Sequence, residues 1–199
     1  HEDDLVENFF IRILRGSGLN GITSFDKEVN YKNINLIRPL LKFSKKDLEN
    51  IAKKVFDIFI EDPSNKNNEF KRVKIRNFIK NLELEGLDKD KFKLTVNNLK
   101  FANESIKFFV NKNISENSTR LKLNNSIILN KNFFYQPEEV VFRSITEVIK
   151  TVGKRYYPPR GKKIDKLIDQ IRTNHSFKIT LGKCILKKVN NTVIVSKEH

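Results

Sequence analysis

The sequence predicts an α/β protein in two parts: the C-terminal portion of a parallel-sheet domain, followed by a mostly helical α+β domain. Over residues 1–82, short apolar runs alternate with helical patterns, which is typical of βα units in a parallel sheet. Residues 83–199 hold three helical patterns and two hairpin-like patterns. We place the boundary between residues 82 and 83, because Gly86 ends one helical pattern and Asp88 can cap the next.

The charge balance points to a polyanionic partner. The 199 residues carry a formal net charge of +15, with an isoelectric point of about 9.8. Residues 1–82 contribute +4 and residues 83–199 contribute +11, so a polyanion is expected mainly along the second part. Nucleic acid ranks ahead of a membrane surface. The alternative is that a Lys- and Asn-rich composition reflects genome base bias and that the charges are only solvated.

Several classes of protein are disfavoured by what the sequence lacks. A single cysteine, Cys184, excludes an internal disulfide or a Cys-x-x-Cys metal site and suits the cytoplasm. No apolar run approaches the roughly 18 residues of a membrane span. The sequence contains no methionine and opens on residues that resemble the end of a motif, so we expect a piece of a longer protein.

The first stretch predicts a largely buried helix with an acidic pair at its start. Its apolar residues recur four apart: Leu5, Phe9 and Ile13, and Val6, Phe10 and Leu14. Asp3 and Asp4 precede this pattern, and Arg15 and Gly16 mark its end. Two carboxylates at a helix start can hold Mg²⁺ beside a nucleotide's phosphates, or they can simply cap the helix.

A second helix, predicted over Phe70–Leu82, carries two arginines on one face. Arg72 and Arg76 are four residues apart, a spacing that lets two guanidinium groups bracket a phosphate. The alternative is a solvated basic face. Between the two helices we predict a polar loop over residues 19–33, a buried strand over 35–37, a helix after Ser44, and a strand over 57–60 that leads into a turn over 61–65.

The second part contains one strong candidate for RNA binding. We predict helices over 89–110, from Pro137 and over 164–171, a hairpin around 124–126, and a closing hairpin with its turn at 190–191. Between the last two helices, cations surround two aromatic rings on a stretch that Pro and Gly keep from being helical. The candidate RNA-binding residues are Arg155, Tyr156, Tyr157, Arg160, Lys162 and Lys163. The alternative is that the tyrosines anchor a core and the cations are solvated.

Four motifs in one order resemble the tRNA(Ile)-lysidine synthetase family of the PP-loop, or ATP-pyrophosphatase, group. The first is His-x-Asp-Asp-x-x-Glu before Arg-Gly-Ser-Gly-Leu-x-Gly, at residues 1–21. The others are Ile-Arg-Pro-Leu-Leu at 37–41, Glu-Asp-Pro-Ser-Asn at 61–65 and Phe-x-Arg-x-x-Ile-Arg at 70–76. Leu5, Asn8 and Val73 depart from the usual family residues. A weaker similarity, Pro-Pro-Arg followed by Thr-Leu-Gly-x-Cys, extends the resemblance along the second part.

The resemblance implies a ligase that attaches lysine to the wobble cytidine of an isoleucine tRNA with a CAU anticodon, using ATP and Mg²⁺. It implies catalytic roles for Asp4, Arg72 and Arg76, nucleotide contacts for His1, Asp3 and Arg15, and a metal site at Asp3 and Asp4. It leaves a homodimer open. The group's Ser-Gly-Gly-x-Asp-Ser phosphate loop does not occur in residues 1–199, so we expect this chain to be inactive alone.

Two rival functions are weighed against the ligase. A non-catalytic RNA-binding module would explain the positive charge without any chemistry. A tRNA-thiolating enzyme of the same group would keep the Asp-Asp motif, but sulfur transfer needs more cysteines than Cys184 alone.

Overall fold

The computed structural model describes residues 1–31, 34–57, 62, 69–121 and 125–198 of a mixed α/β protein. The chain divides into two compact units, His1–Asn103 and Glu104–His199. The boundary predicted between residues 82 and 83 stays a prediction.

Unit 1 is built mainly from helices. The two helices that carry the predicted motifs are confirmed, as α1 and α4 below. Their buried side chains, Val6, Ile11, Ile75 and Ile79, form a small core. The helices are α1 (Asp3–Ile13), α2 (Leu19–Ile22), α3 (Lys45–Phe56), α4 (Lys71–Leu84) and the first part of α5 (Lys89–Asn117).

The strands of unit 1 differ from the prediction. Strand β1 (Glu28–Tyr31) pairs antiparallel with β2 (Ile34–Ile37), so the loop predicted over residues 19–33 contains a strand in its described part. The strand expected over residues 35–37 exists, but it is exposed and not buried. Every strand pair among the described residues is antiparallel, so these strands do not bear out the parallel sheet. The hairpin itself was not predicted, because β1, the neighbour of β2 in sequence, was taken for loop.

Helix α3 begins where the sequence predicts. Ser44 caps it, since its hydroxyl accepts a hydrogen bond from the Asp47 N–H at 3.1 Å. The helix ends at Phe56, and its C-cap residue, Asp57, has a φ of 53°, which lies in the left-handed region. The strand predicted over 57–60 and the turn over 61–65 lie outside the described residues, apart from Asp57 and Asp62.

The break before the long helix α5 is confirmed. Gly86 has a φ of 101°, and the Asp88 carboxylate accepts backbone hydrogen bonds from Asp90 and Lys91 at 2.8 and 3.1 Å. The helix continues to Asn117, seven residues beyond the predicted end. Among the described residues, no helix combines the length and the apolar character needed to cross a membrane.

Unit 2 is a five-stranded antiparallel sheet with two helices packed on one face. Its strands run in the order β3-β4-β7-β6-β5. The predicted hairpins are confirmed, but the segment over 178–186 is not one strand, because a turn at Gly182 and Lys183 divides it into β5 and β6. The elements are β3 (Ser118–Leu121), β4 (Ser126–Leu129), α6 (Glu138–Val152), α7 (Gly161–Thr173), β5 (Phe177–Leu181), β6 (Cys184–Val189) and β7 (Thr192–Lys197).

The core of unit 2 lies between these helices and the sheet. Ile145, Ile149 and Leu167 of the helices are 0–1% exposed, as are Leu186 and Val195 of the sheet. Burial of that extent is worth about 1.5–3 kcal/mol for each large aliphatic side chain. Unit 2 therefore holds α6, α7 and the segment between them on a well-packed base.

Candidate functional site

The acidic pair lies in the first turn of α1. Glu2, and not an aspartate, occupies the N-cap position, and no side chain there makes a capping hydrogen bond. Asp3 and Asp4 are instead the first two helical residues, where the helix dipole favours negative charge. Their side chains are 26% and 30% exposed. The simple capping interpretation is therefore wrong, and both carboxylates stay partly accessible.

Two lysines from α5 reach the start of α1. Lys89 Nζ lies 2.7 Å from Asp3 Oδ1 and 3.1 Å from Glu83 Oε1. Lys93 Nζ lies 2.7 Å from Glu2 Oε2. Partial burial disfavours the charge of Lys89, but its hydrogen bonds to Asp3 and Glu83 outweigh that effect, and the pKa of Lys89 is raised. Sequence reasoning missed both lysines, because Lys89 is 86 residues from Asp3 and Lys93 is 91 residues from Glu2.

His1 lies beside the acidic pair, where the resemblance implied a nucleotide contact. Its Nδ1 is 3.6 Å from Asp3 Oδ2 and is buried without a hydrogen-bond partner among the described residues. His1 and Asp3 are therefore brought together, and Asp4 is the next residue of the same helical turn.

Arg76 reaches α1 through a buried carboxylate. Its Nε donates to Glu7 Oε1 at 2.6 Å, and the Glu7 side chain is only 5% exposed. The second oxygen of Glu7 is buried and has no hydrogen-bond partner among the described residues. Glu7 belongs to the first motif and Arg76 to the last, so this ion pair joins two motifs that are 69 residues apart. A charge-assisted bond of this length fixes the guanidinium strongly.

The other predicted arginines are farther from the acidic pair. Arg72 is exposed in the first turn of α4 and forms no ion pair within the described residues. Lys89 bridges Asp3 to Glu83, which lies at the opposite end of α4 from Arg72. The 11 residues from Arg72 to Glu83 span about 16 Å along a helix. Arg15 is exposed beyond the far end of α1, about 18 Å along the axis from Asp3. The structure brings Arg76, but not Arg72 or Arg15, into contact with the first half of α1.

The donor set at the start of α1 suits a cation that takes most of its ligands elsewhere. Among the described residues there is no group of three or more side chains that could hold a metal ion. Asp3 and Asp4 offer two partly accessible carboxylates, and Mg²⁺ is commonly held by one or two carboxylates together with phosphate oxygens and water. The residues therefore fit Mg²⁺ bound with a triphosphate, with Lys89 as a competitor for Asp3.

The RNA-binding candidates form an exposed segment between α6 and α7. The Tyr156 and Tyr157 rings meet edge to face at 4.6 Å, and Tyr157 is 71% exposed. The core-anchor interpretation of these tyrosines is therefore wrong. Arg155 and Arg160 are exposed, Arg160 as the N-cap residue of α7, and Lys162 and Lys163 follow in its first turn. Unit 2 thus presents four candidate cations beside two accessible rings.

A family model matches most of the first unit. Residues 1–83 match the family model described as a PP-loop domain. This agrees with the group that the motifs of α1 and α4 resemble.

Three curated relatives that the chain matches share one name. The whole chain is 27% identical to a tRNA(Ile)-lysidine synthase of Wolbachia pipientis wMel and covers 46% of that protein. It is 28% identical over its whole length to the tRNA(Ile)-lysidine synthase of Orientia tsutsugamushi (strain Boryong), again covering 46% of the relative. A stretch of 84 residues is 38% identical to the enzyme of Zymomonas mobilis, matching 40% of this chain and 26% of the relative. The chain thus has tRNA(Ile)-lysidine synthase homologues along its whole length, and it spans about half the length of these relatives.

Proposed function

We propose that this chain forms part of an ATP-dependent tRNA(Ile)-lysidine synthase, a carbon–nitrogen ligase. In the proposed reaction, the C2 oxygen of the wobble cytidine attacks the α-phosphate of ATP and pyrophosphate leaves. The ε-amine of free lysine then attacks C2, and AMP leaves with the oxygen. The RNA is an isoleucine tRNA with a CAU anticodon.

The observation that carries the proposal is the Glu7–Arg76 ion pair of 2.6 Å. It joins the acidic motif of α1 to the arginine motif of α4, as a site that handles a charged nucleotide requires. In the proposal, Asp4 orients the reacting groups, and Arg72 and Arg76 stabilise charge on the phosphates. His1, Asp3 and Arg15 contact the nucleotide. Mg²⁺ held by Asp3 and Asp4 would offset the charge of the triphosphate.

We propose a separate role for each of the two parts predicted from the sequence. Residues 1–82 would supply the C-terminal portion of the catalytic domain, whose parallel sheet the family resemblance implies. Residues 83–199 would bind tRNA, with Arg155, Tyr156, Tyr157, Arg160, Lys162 and Lys163 as contacts. We propose a cytoplasmic enzyme, and sedimentation would measure whether it is a homodimer.

The test is lysine incorporation by a complete enzyme that contains these residues. Labelled lysine should appear in an isoleucine tRNA transcript with a CAU anticodon, in the presence of ATP and Mg²⁺. A transcript with a different wobble base serves as the control. Binding of the transcript without incorporation would favour the second candidate, a non-catalytic RNA-binding module, which the net charge of +11 over residues 83–199 supports.

The thiolating alternative is disfavoured by the state of Cys184. This cysteine is buried, and burial raises the pKa of its thiol from 9.0 to about 11. A sulfur-transfer cysteine needs an accessible, readily formed thiolate.

A further inference from the structure

We propose that Lys154 and Lys183 form a rigid phosphate-binding pair, held by two turns that touch each other, which extends the RNA-binding surface of unit 2. The inference rests on the proposed function, since it assumes that unit 2 binds RNA. It adds two residues from separate elements to the surface predicted from the segment between α6 and α7.

The first turn ends helix α6. Lys154 has a φ of 50°, its N–H donates to the Thr151 carbonyl at 3.3 Å, and the Arg155 N–H donates to the Lys150 carbonyl at 3.1 Å. These two bonds are those of a Schellman motif, in which the left-handed residue is usually glycine. Here a lysine occupies that position and bears the conformational cost.

The second turn joins β5 to β6. It contains two residues, Gly182 with a φ of 65° and Lys183 with a φ of 63°, which is the pattern of a type I′ turn. Glycine is the usual second residue of such a turn. A second lysine thus occupies a position that glycine adopts at less cost.

The two turns meet at a pair of glycines. A methyl group on Gly153 would lie 2.2 Å from the Gly182 carbonyl oxygen, and one on Gly182 would lie 2.7 Å from Ile149 Cγ2 and 3.0 Å from Pro159 Cγ. Only glycine allows so close an approach. Consecutive α carbons are about 3.8 Å apart, so Lys154 and Lys183 each begin one residue from this contact. Both lysines therefore extend from the same tightly packed contact between Gly153 and Gly182.

The charge pattern of unit 2 favours anion binding at the two turns that carry Lys154 and Lys183. Lys154 and Lys183 are exposed and form no ion pair within the described residues. By contrast, Arg172 pairs with Glu138 at 2.9 Å, beside a cleft of about 430 Å³. That cleft, between α6 and α7, is lined by four carboxylates: Glu138, Glu139, Asp165 and Asp169. A polyanion would avoid the cleft and approach the turns.

RNA is the anion that this surface fits best. The exposed ring of Tyr157 lies three residues from Lys154, and exposed aromatic rings beside cations provide stacking surfaces for bases together with phosphate contacts. A membrane interface also accommodates tyrosine rings, so vesicle binding is one arm of the test below.

The test replaces each lysine by the residue that its backbone prefers. Lys154→Gly and Lys183→Gly are measured in the 199-residue chain by fluorescence anisotropy, with an isoleucine tRNA transcript over a range of salt concentrations. Each variant should bind roughly fivefold more weakly, and the slope of log affinity against log salt should fall by about 1. The melting temperature should stay the same or rise, because glycine relieves the left-handed strain.

Asn190→Gly is the matched control. Asn190 also has a left-handed φ, of 55°, in the turn between β6 and β7, but it carries no charge. This variant should leave RNA affinity unchanged. A purely structural role for the lysines would instead appear as a lower melting temperature in their glycine variants.

The outcomes separate this inference from the proposed function. Unchanged affinity in both lysine variants, with weaker binding by Lys162→Ala, would overturn the inference and leave RNA binding intact. Failure of the unmodified chain to bind the transcript would overturn both. Tighter binding to phosphatidylserine vesicles than to RNA, lost in the glycine variants, would assign the pair to a membrane surface and overturn the inference.

Discussion

Helices α3 and α6 show the same apolar spacing, but the two units bury them to different extents. In α6, Ile145 and Ile149 are 0% exposed beneath the sheet of unit 2. In α3, Ile51 and Val55 are 52% and 64% exposed. Leu36, in the β1–β2 hairpin that precedes α3 in the sequence, is 44% exposed. Periodicity therefore predicts a helix and its apolar face, but burial depends on a partner surface that other parts of the chain must supply.

The largest effect should come from the core of unit 2. Ile145→Ala should lower the free energy of unfolding by about 2–5 kcal/mol, because it removes buried methylene groups and leaves a cavity. Ile51→Ala on α3 should change it by less than about 0.5 kcal/mol, since the side chain is already half in water. Urea unfolding of the two variants measures both values. Equal losses would contradict the contrast between the units.

The next effect should separate turnover from RNA affinity. In a complete enzyme, Arg72→Ala should lower turnover by about 100-fold, as the loss of a group that stabilises transition-state charge does. A double change, Lys162→Ala with Lys163→Ala, should mainly weaken tRNA binding and reduce its salt dependence. Steady-state kinetics at several salt concentrations would test this. Equal effects on turnover would contradict the assignment of chemistry to unit 1 and RNA binding to unit 2.

A smaller effect is expected at Glu7, which we regard as a positioning residue for Arg76. Glu7→Gln weakens the ion pair with Arg76 and should lower turnover by roughly tenfold, with KM for tRNA nearly unchanged. Glu49→Gln, which removes an exposed ion pair with Lys45 at 3.3 Å, is the control and should have no effect. If KM rises while turnover stays constant, Glu7 contributes to tRNA binding instead.

The sequence predicted the helices that carry the motifs because their start, spacing and end signals are local. The break at Gly86, the cap at Ser44 and the acidic start of α1 are all of this kind. The motif resemblance was confirmed by homologues along the whole chain. Short elements were predicted less well: β1 was taken for loop, and β5 and β6 for one strand, since a Gly-Lys turn is an uncommon hairpin signal.

The site was predicted only where its contacts lie within one motif. His1, Asp3 and Asp4 are neighbours in sequence, so their proximity followed directly. The lysines that pair with the first turn of α1 come from α5, and tertiary contacts of this kind leave no local signal. Glu7 was recognised as a motif residue, but its burial against Arg76 required the structure.

The last prediction concerns Cys184, in the core of unit 2. Because burial raises the pKa of this thiol to about 11, the native protein should react with Ellman's reagent at pH 8 about 100-fold more slowly than the unfolded chain. The raised value means that the folded state keeps its proton longer than the unfolded state. The contribution of the Cys184 thiol to the free energy of unfolding is therefore complete below pH 9.0 and is lost as the pH rises towards 11. Fast labelling of the native protein would show that the core of unit 2 opens readily.

The most direct test of the central claim is a double-mutant cycle between Asp4 and Arg72 in a complete enzyme, with pyrophosphate release as the readout. If both residues act on one nucleotide, Asp4→Asn and Arg72→Ala should each slow release, and their combined effect should differ from the sum of the two by more than about 0.5 kcal/mol. Strict additivity, or full activity in either variant, would contradict a shared phosphate site.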